Sequence, residues 1–559
     1  MKRTVVVFIF MIFVILNNNV FASDEIRVEV NENKIIFDAQ PYINEYNRTM
    51  IPLRFVSETL DANVSWIAAS QTVIVELDNK IIKLKIDSNI VNVNGENKFM
   101  ESSTVIRDSR TFVPVRFITE MLGGHVLWEN ETKTIFITTE SFNEGVVFED
   151  SNVEKVIRKK LRNYSGIISR SDLNGIRVLD ASDQLIVELV DFEKLVNLNE
   201  LNLSYNEIDD LSALSKLKNL SVLRLNSTPV NDIEALGSLL KLETLELAGN
   251  QITDLSPLSN LLKLKTLNLE SNYVNNIESL SNMTGLKELD LSNNQIGDIS
   301  TLSNLVSLSE LNLSNNRIVN ITGLNNLKNL EFIDLSSNQI TDIRLVENLY
   351  NVSELRVGNN AIKNISMLSS LKELVIVDIS NNQITDINGL KQLSKLNALY
   401  VSNNHITDIA PISGLIELSK LDMNTNQITD ISSISNLYKL KELVLNNNLI
   451  YNIDSLSNKN DLIWLDLKSN SILDITSLSN LKELIYLNVS KNKISNVDAL
   501  KDLKKLEDLL ISSNQIIDIT PLKDLDNLTQ LRLSNNQIID YSPTKSYYNQ
   551  LNDKDFDLN

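Results

Sequence analysis

The sequence predicts an α/β solenoid of 22-residue coils, preceded by a small α+β module that occurs as two tandem copies. Two observations lead to this prediction. A pattern of leucine, isoleucine and asparagine returns with a constant period through most of the chain, and the segment Arg48–Glu58 recurs in closely similar form as Arg110–Glu120. We expect a curved solenoid with a parallel β-sheet on its concave face and 3₁₀ or short helical turns on its convex face.

The apolar spacing changes within one unit of the long repeat, Leu289–Glu310. Leu289 and Leu291 alternate with polar residues, as in a short strand, whereas the aliphatic residues from Ile299 onward recur every third residue, as in a tight helical return. Each unit is therefore one coil. About 17 coils are expected between Leu179 and Leu531.

Two polar columns accompany the repeat. Asparagine recurs once in each unit from Asn206 to Asn536, except at Thr228, and its amide can satisfy backbone groups that the turn buries. A second column, from Asp210 to Asp540, contains only Asp and Asn, which predicts caps on the convex turns. The alternative, a carboxylate ladder for calcium, is weakened because five of its sixteen members are neutral Asn.

The N-terminus has the pattern of a secretory signal. Basic residues at positions 2 and 3 precede an apolar run over residues 4–16, and small residues before position 23 predict cleavage after Ala22. Residues 1–22 are therefore assigned to a signal peptide, and the mature protein is expected to be secreted or displayed on a bacterial surface without membrane insertion. The chain has no cysteine, which excludes disulfides and thiolate metal sites.

Residues 24–140 hold the shorter repeat, and each copy predicts strands around one helix that begins near Pro52 or Pro114. Both copies keep the pattern R-T-x-x-P-x-R-F-x-x-E followed by V-x-W. This segment resembles the copper amine oxidase N-terminal domain, or stalk domain. A copper site needs clustered histidines and the chain has only His125, expected in a surface loop, and His405, so no cofactor or metal is predicted.

Both helices of the stalk module also carry an arginine four residues before a glutamate. Arg54 precedes Glu58, and Arg116 precedes Glu120. We interpret them as ion pairs within the helices rather than as anion-binding groups.

Residues 141–175 form a predicted linker and helical cap. Ser151–Glu154 has a capping-box pattern, and Val153, Val156, Ile157 and Leu161 fall on one face of the helix that follows. A solenoid exposes an apolar cross-section at its first coil, so this helix is expected to cover it. Binding to a membrane surface is the alternative.

The repeat unit L-x-x-L-x-L-x-x-N-x-I-x-D-I-x-x-L-x-x-L and its preceding cap resemble the leucine-rich repeats of internalins, which are bacterial surface proteins. The resemblance covers residues 145–541, with the repeats themselves assigned to 176–541 and a C-terminal cap or tail to 542–559. It implies the fold rather than the ligand, because the residues that define the family are core leucines and turn asparagines, which build the scaffold.

Charge and motif content limit the classes of partner and activity that the sequence allows. Residues 173–559 hold 32 basic and 49 acidic side chains, a net charge of −17, which disfavours nucleic acid and anionic lipid as partners. The motifs G-x-S-x-G, G-x-x-x-x-G-K and H-E-x-x-H are absent. We therefore predict a non-enzymatic protein that binds a protein partner. The alternatives are a structural spacer of the cell envelope and a module that binds carbohydrate or cell-wall polymer.

The predicted binding residues lie beside the inward-facing aliphatics of the strands, on the concave face. Most such positions are Asp, Glu, Asn or Ser, but several in the later coils are apolar. Aromatic residues are enriched at binding hot spots, although single exposed apolar residues are also common on ordinary surfaces. The candidate ligand-binding residues are Phe332, Ile376, Tyr400, Val444, Trp464, Tyr486 and Leu510. Trp464 and Tyr486 are expected to stack on adjacent strands.

Overall fold

A computed structural model describes residues 26–31, 33–60, 62–77, 80–130, 132–139 and 145–558. The predicted signal peptide lies outside the described residues. The chain divides into two compact units, one of residues up to 147 together with 161–176, and one of residues 148–160 together with 177–559. We call the first the stalk unit and the second the solenoid unit.

The stalk unit contains thirteen strands, two α-helices and one short 3₁₀ helix, Ala68–Ser70, among its described residues up to 139. The strands are β1 Arg27–Val30, β2 Asn33–Lys34, β3 Tyr42–Ile43, β4 Thr49–Pro52, β5 Asn63–Ile67, β6 Thr72–Leu77, β7 Lys80–Lys85, β8 Ile90–Val93, β9 Glu96–Phe99, β10 Val105–Arg107, β11 Arg110–Pro114, β12 Gly124–Glu129 and β13 Thr134–Thr139. The helices are α1 Leu53–Thr59 and α2 Val115–Met121. Each helix directly follows the proline predicted near its start.

The two stalk copies are interleaved. The sheet order β10-β11-β4-β3 joins equivalent strands of both copies, and Ile51 pairs with Val113, its counterpart in the second copy. In the sheet β12-β13-β1-β2, the first strand of the chain pairs in parallel with the last strand of the second copy. The third sheet has the order β5-β6-β7-β8-β9. Val56 and Ile118, equivalent residues on the two helices, lie in one apolar core, so the tandem copies form a single folding unit.

Two further helices precede the repeats, α3 Ser151–Leu161 and α4 Arg170–Asn174. In α3, Val153, Val156 and Ile157 are buried, as the apolar face predicts. The predicted capping box at Ser151–Glu154 is wrong: Asp150 supplies the cap, since its carboxylate accepts the Asn152 N–H at 2.7 Å. No helix in the described residues is long and apolar enough to cross a bilayer.

A buried carboxylate connects the segment before α3 to the first coil. Asp191 has no exposed surface, and its Oδ2 accepts the N–H groups of Glu149 and Asp150, both at 2.8 Å. Its other oxygen accepts a hydrogen bond from the Lys194 ammonium. Because a buried carboxylate is stable only with such partners, this network fixes the approach to α3 on the solenoid unit.

Within residues 145–558, the solenoid forms one parallel sheet of 18 strands, each paired with the next. They are β14 Val178–Asp180, β15 Glu200–Asn202, β16 Val222–Arg224, β17 Thr244–Glu246, β18 Thr266–Asn268, β19 Glu288–Asp290, β20 Glu310–Asn312, β21 Phe332–Asp334, β22 Glu354–Arg356, β23 Ile376–Asp378, β24 Ala398–Tyr400, β25 Lys420–Asp422, β26 Glu442–Val444, β27 Trp464–Asp466, β28 Tyr486–Asn488, β29 Asp508–Leu510, β30 Gln530–Arg532 and β31 Asp553–Lys554. The register advances by one repeat unit at each step from β14 to β30. Short 3₁₀ turns such as Ser300–Asn304 return the chain between strands.

The C-terminal segment adds a strand that the repeat count did not predict. β31 pairs with β30, and the Asp555 carboxylate accepts the Leu533 N–H at 2.6 Å and the Ser534 N–H at 3.1 Å. Tyr547 is buried, and its hydroxyl donates to the Leu522 carbonyl at 3.0 Å. Residues of the predicted cap or tail therefore satisfy the backbone at the last coil.

The asparagine column has the predicted structural role. Asn294 Nδ2 lies within hydrogen-bond distance of the carbonyls of Leu269, Leu291 and Ser292 at 2.9–3.1 Å. Its Oδ1 accepts the Val274 N–H at 2.9 Å. One side chain thus connects two successive coils through backbone groups that the turn buries.

The capping column also has the predicted role, because the first oxygen of every member accepts the N–H two residues later. Asp298, for example, accepts the Ser300 N–H at 2.8 Å. The members are Asp210, Asp232, Asp254, Asn276, Asp298, Asn320, Asp342, Asn364, Asp386, Asp408, Asp430, Asn452, Asp474, Asn496, Asp518 and Asp540. Asp and Asn are equivalent as such acceptors, which explains why both occur.

Candidate functional site

The sheet face of the solenoid is built from the first and third residues of each three-residue strand. The middle residue is buried in every strand from β14 to β30, while the outer two are exposed to varying degrees except at Ala398 and Asn488, which are buried. Because the register is constant, first residues form one column and third residues form another, with neighbours about 4.8 Å apart. We call these the first-residue column and the third-residue column.

The Asp and Asn residues of the third-residue column have a structural role. The side-chain oxygen accepts the N–H two residues later, as in Asp290 with Ser292 at 2.8 Å and in Asn312 with Ser314 at 3.1 Å. Ten strands share this contact, at Asp180, Asn202, Asn268, Asp290, Asn312, Asp334, Asp378, Asp422, Asp466 and Asn488. Tyr400, Val444 and Leu510 cannot make it, so these strands give up a stabilising contact to present an apolar side chain.

The predicted stack of Trp464 on Tyr486 is confirmed. The ring centroids are 3.6 Å apart and the ring planes differ by 3°. Trp464 remains 41% exposed and Tyr486 is half-buried. Burial raises the pKa of the Tyr486 hydroxyl, and the negative charges of Asp466 and Asp508 raise it further. The stack is therefore a rigid apolar surface beside carboxylates.

Two isoleucines that were not among the predicted binding residues are exposed next to this stack. Ile463 is 37% exposed and Ile485 is 36% exposed, each directly before an aromatic residue of the stack. The same position is Arg, Asn, Ser, Glu, Lys or Thr in every other coil except that of Val375. This departure from the column was the signal that could have identified them. We call Ile463, Trp464, Ile485 and Tyr486 the aromatic patch.

The seven candidate residues do not form one cluster. Tyr400, Val444 and Leu510 are half-buried on strands β24, β26 and β29, near the aromatic patch. Phe332 lies six strands before Trp464, about 29 Å away along the sheet. Ile376 lies four strands before Trp464, about 19 Å away.

Phe332 is also covered by its own chain. The Arg356 guanidinium lies over the Phe332 ring at 5.7 Å and forms an ion pair with Glu354 at 2.5 Å. Phe332 and Ile376 are therefore separate from the surface that the stack forms.

Carboxylates alternate with apolar residues beside the aromatic patch. Burial raises the pKa of Asp422 and of Asp466, although hydrogen bonds from residues two positions later act in the opposite direction. The charge of Asp378 raises the pKa of Asp422, and the charge of Asp422 raises that of Asp466. Val444 lies between Asp422 and Asp466, so two partly desolvated carboxylates flank an apolar residue on this face.

The residues considered for metal or anion binding are spread across both units. His125 is exposed in strand β12 and not in a loop as predicted, because it pairs with Thr138. His405 lies in the solenoid unit, and no group of three or more possible ligands surrounds a common point in the described residues. In the stalk unit, Arg54 pairs with Glu58 at 3.5 Å, as the helical spacing predicted.

Arg54 also borders a cleft in the stalk unit. The cleft has a volume of about 380 Å³ and is lined by Trp66 and Arg110 among others. Arg110 forms an ion pair with Asp38, and its side-chain nitrogen Nε lies 3.0 Å from the Asp38 carboxylate. Both arginines of the cleft thus have carboxylate partners within the chain.

Comparison with known proteins agrees with both resemblances. The family described as "Copper amine oxidase N-terminal domain" matches residues 29–137. The family described as "Leucine Rich repeats (2 copies)" matches eight segments, residues 196–238, 240–282, 262–304, 284–326, 306–351, 328–370, 350–392 and 394–436. An internalin, InlF, from Listeria monocytogenes is 33% identical, with 63% of this chain and 97% of that chain covered and a TM-score of 0.53. The chain belongs to the internalin family.

Other solved structures share the fold. A leucine-rich repeat protein from Leptospira interrogans is 24% identical over 71% of this chain and 98% of that chain, with a TM-score of 0.59. The Arabidopsis receptor kinase HAESA, solved with a peptide hormone, is 22% identical over 68% of this chain and 74% of that chain, with a TM-score of 0.55. A search of curated proteins finds no match. The expected solenoid architecture of this internalin is thus confirmed.

Proposed function

We propose that this internalin is a non-enzymatic recognition protein, secreted or displayed on the bacterial surface, that binds a protein partner through the sheet face of its repeats. The observation that carries the proposal is the aromatic patch. Two stacked rings begin adjacent strands and an exposed isoleucine directly precedes each ring, at positions where most other coils have polar residues. A contiguous exposed apolar surface with a rigid aromatic centre is typical of a binding hot spot.

The local structure supports binding rather than scaffolding at these positions. Trp464, Ile463 and Ile485 are exposed side chains outside the core, and the buried middle residue of each strand supplies the core packing. Tyr400, Val444 and Leu510 also replace side chains that accept a backbone N–H in ten other strands. The stalk unit is proposed to position the solenoid at the envelope, with the predicted boundaries at residues 24–140 for the stalk and 176–541 for the repeats.

The test compares capture by the full chain and by a double variant, Trp464→Ala with Tyr486→Ala. Bacterial wall preparations and a panel of purified extracellular proteins are incubated with each, and bound protein, bound wall polymer and released fragments are measured. We expect at least one protein ligand, with binding weakened by at least about 2 kcal/mol in the double variant. Circular dichroism of the variant should match that of the wild type, because both rings lie outside the core.

A matched control uses the same face away from the patch, with Phe332→Ala and Ile376→Ala. This control should retain binding within about threefold, as expected for substitutions outside a hot spot. Binding of wall polymer alone, unaffected by the Trp464 and Tyr486 substitutions, would support the wall-binding alternative. Release of wall fragments would contradict the proposal that the protein is non-enzymatic. Protein capture that is unchanged in the double variant would contradict the proposed binding site.

A further inference from the structure

The region around the aromatic patch combines apolar and acidic side chains in a fixed order. Along the third-residue column, Asp378, Tyr400, Asp422, Val444 and Asp466 occupy successive strands. Carboxylates therefore recur on every second strand, about 9.6 Å apart, with an apolar side chain between them. Trp464 begins the strand that ends at Asp466, so the acidic row runs directly alongside the patch.

These carboxylates are only partly compensated within the chain. The Asp422 carboxylate accepts hydrogen bonds from the backbone N–H and side-chain amide of Asn424, at 3.0 and 2.7 Å. The Asp466 carboxylate accepts the Lys468 N–H at 2.9 Å and the Asn488 side-chain amide at 3.4 Å. Burial still raises the pKa of both carboxyl groups, and each also experiences the charge of the preceding carboxylate in the row. A cation placed between them would reduce this unfavourable desolvation and repulsion.

The chain itself shows how a cation and an aromatic ring combine on this face. Arg356 covers Phe332 at 5.7 Å while it pairs with Glu354 at 2.5 Å. Near the patch, Lys420 pairs with Glu442 at 2.8 Å. Lys468 lies close enough to Asp466 to lower its pKa, yet burial outweighs this effect. The sheet face therefore accommodates cation, carboxylate and ring together. The carboxylates of Asp422 and Asp466, with the rings of the aromatic patch beside them, offer another such contact.

We infer that the partner binds with a cationic segment, whose arginine or lysine side chains lie between Asp422 and Asp466 while its apolar side chains pack on the aromatic patch. This inference rests on the proposed function and specifies the chemistry of the partner. The net charge of −17 over residues 173–559 would attract such a segment at long range. The exposed rings would then supply the apolar contact that fixes it.

A suitable probe is a twelve-residue peptide of four Arg-Pro-Leu units. In the polyproline II conformation, every third side chain faces the same way about 9.3 Å apart, which matches the separation of carboxylates on alternate strands. The comparison peptide has four Glu-Pro-Leu units, with the same backbone and opposite charge. Calorimetric titration into the full-length protein at low salt measures both.

The decisive variant replaces Asp422 and Asp466 by asparagine. Asparagine already accepts the same backbone N–H at Asn202, Asn312 and Asn488 in this column, so the coils should remain folded. The matched control makes the same two changes at Asp290 and Asp334, which are also two strands apart in this column but lie far from the patch. The two variants have equal net charge.

We expect the arginine peptide to bind, the glutamate peptide not to bind, and the Asp422→Asn, Asp466→Asn variant to weaken binding at least about tenfold. The control at Asp290 and Asp334 should change affinity by less than about twofold, through the long-range field alone. Equal weakening in both variants would show a diffuse charge effect and overturn the inference, as would failure of the arginine peptide to bind.

The two double variants distinguish failure of this inference from failure of the proposed function. If Trp464→Ala with Tyr486→Ala abolishes capture of a protein ligand while Asp422→Asn with Asp466→Asn has no effect, the face binds a partner that is not cationic. The proposed function then stands and the inference fails. If neither double variant affects capture, both are wrong.

Discussion

A single lysine in the solenoid core gives a quantitative test of the structure. Lys459 occupies a column that holds leucine at Leu437 and Leu481 in the adjacent coils. Its side chain has no exposed surface, and its Nζ donates to the Ser435 carbonyl at 2.6 Å. The ammonium also lies 5.0 Å from the centre of the Tyr438 ring. Burial lowers the pKa of the Lys459 ammonium from 10.5 to about 8.

The expected effect of Lys459→Leu follows from that pKa. A decrease from 10.5 to about 8 corresponds to about 3 kcal/mol of destabilisation whenever the amine is charged in both folded and unfolded protein. Leucine removes the buried charge and restores the apolar column, but it also removes the hydrogen bond to Ser435 and the contact with Tyr438. Allowing about 1 kcal/mol for these contacts, we expect a net stabilisation of about 2 kcal/mol at pH 7.

The stabilisation should depend on pH in a defined direction. Below pH 8, the lysine is charged in both states, and the folded protein carries the full penalty. Between pH 8 and 10.5, the unfolded chain binds the proton more strongly than the folded chain, so wild-type stability rises with pH relative to the leucine variant. The difference between the two proteins should therefore shrink from pH 7 to pH 10.

The assay is denaturant unfolding followed by fluorescence and by hydrogen exchange of the coil around residue 459. Trp464 lies in this coil, and the other two tryptophans are Trp66 and Trp128 in the stalk unit. Hydrogen exchange adds a local free energy, which is needed because long repeat arrays do not always unfold in two states. Lys482→Leu is the control: it removes an exposed lysine one coil later and should change stability by less than about 0.5 kcal/mol at every pH. An unchanged or lower stability of Lys459→Leu at pH 7, or a gain that is equal at pH 7 and pH 10, would refute the reasoning.

Two further predictions concern the early coils. The Thr228 hydroxyl is 2.9 Å from both the Leu225 carbonyl and Asn250 Oδ1, but its one proton can be donated to only one of them. Thr228→Asn should therefore raise the free energy of local unfolding by about 1 kcal/mol. Hydrogen exchange would show this as slower exchange of the amides in this coil. Ile157→Asp places a charge at a fully buried position of α3 and should lower the stability of the first coils by about 2–5 kcal/mol. Limited proteolysis should then cut these coils faster. Lys160→Asp, on the exposed face of the same helix, should leave digestion unchanged. Unchanged digestion of Ile157→Asp with lost vesicle binding would favour the membrane-surface interpretation of α3.

The solenoid could be predicted in detail because its information is local and periodic. A translation by one repeat unit places each residue beside its counterpart in the next coil, so one unit defines the strand, the asparagine contact and the turn cap for all of them. The same regularity predicted the stack of Trp464 on Tyr486, since equivalent residues of successive units on this face must be neighbours. Periodicity therefore gave both the architecture and the centre of the candidate site.

The stalk unit was less predictable, because its core depends on pairing between distant segments. The shorter repeat indicates two copies, but nothing in either copy specifies that Ile51 pairs with Val113 or that Val28 pairs with Ile135. Such contacts are decided by the combined apolar surface of both copies and not by local propensity. His125 was misplaced for the same reason, since its strand forms through a pairing partner at Thr138.

The two ends of the solenoid could not be predicted from the periodicity of the repeat either. Strand β31 is displaced from the repeat register, since Gln530 pairs with Asp553 rather than Asn552, and it has no leucine pattern, so only its pairing with β30 identifies it. At the other end, Asp191 replaces residues such as Ala213 and Ala235 of later coils and is buried by its contacts with Glu149 and Asp150. End coils lack one neighbour, so they use side chains that the internal repeat does not need.

The residues that differ from the rest of their column are therefore the ones that carry information specific to this protein. They fall into two physical classes. Lys459 differs from its column at a buried position and destabilises its coil. Trp464, in the same coil, differs from its column at an exposed position outside the core. A repeat array tolerates the first kind because neighbouring coils share their stability with the weakened one. A partner that binds only the folded aromatic patch stabilises this coil by mass action, so occupancy of its outer face would offset part of the penalty that Lys459 imposes on its core.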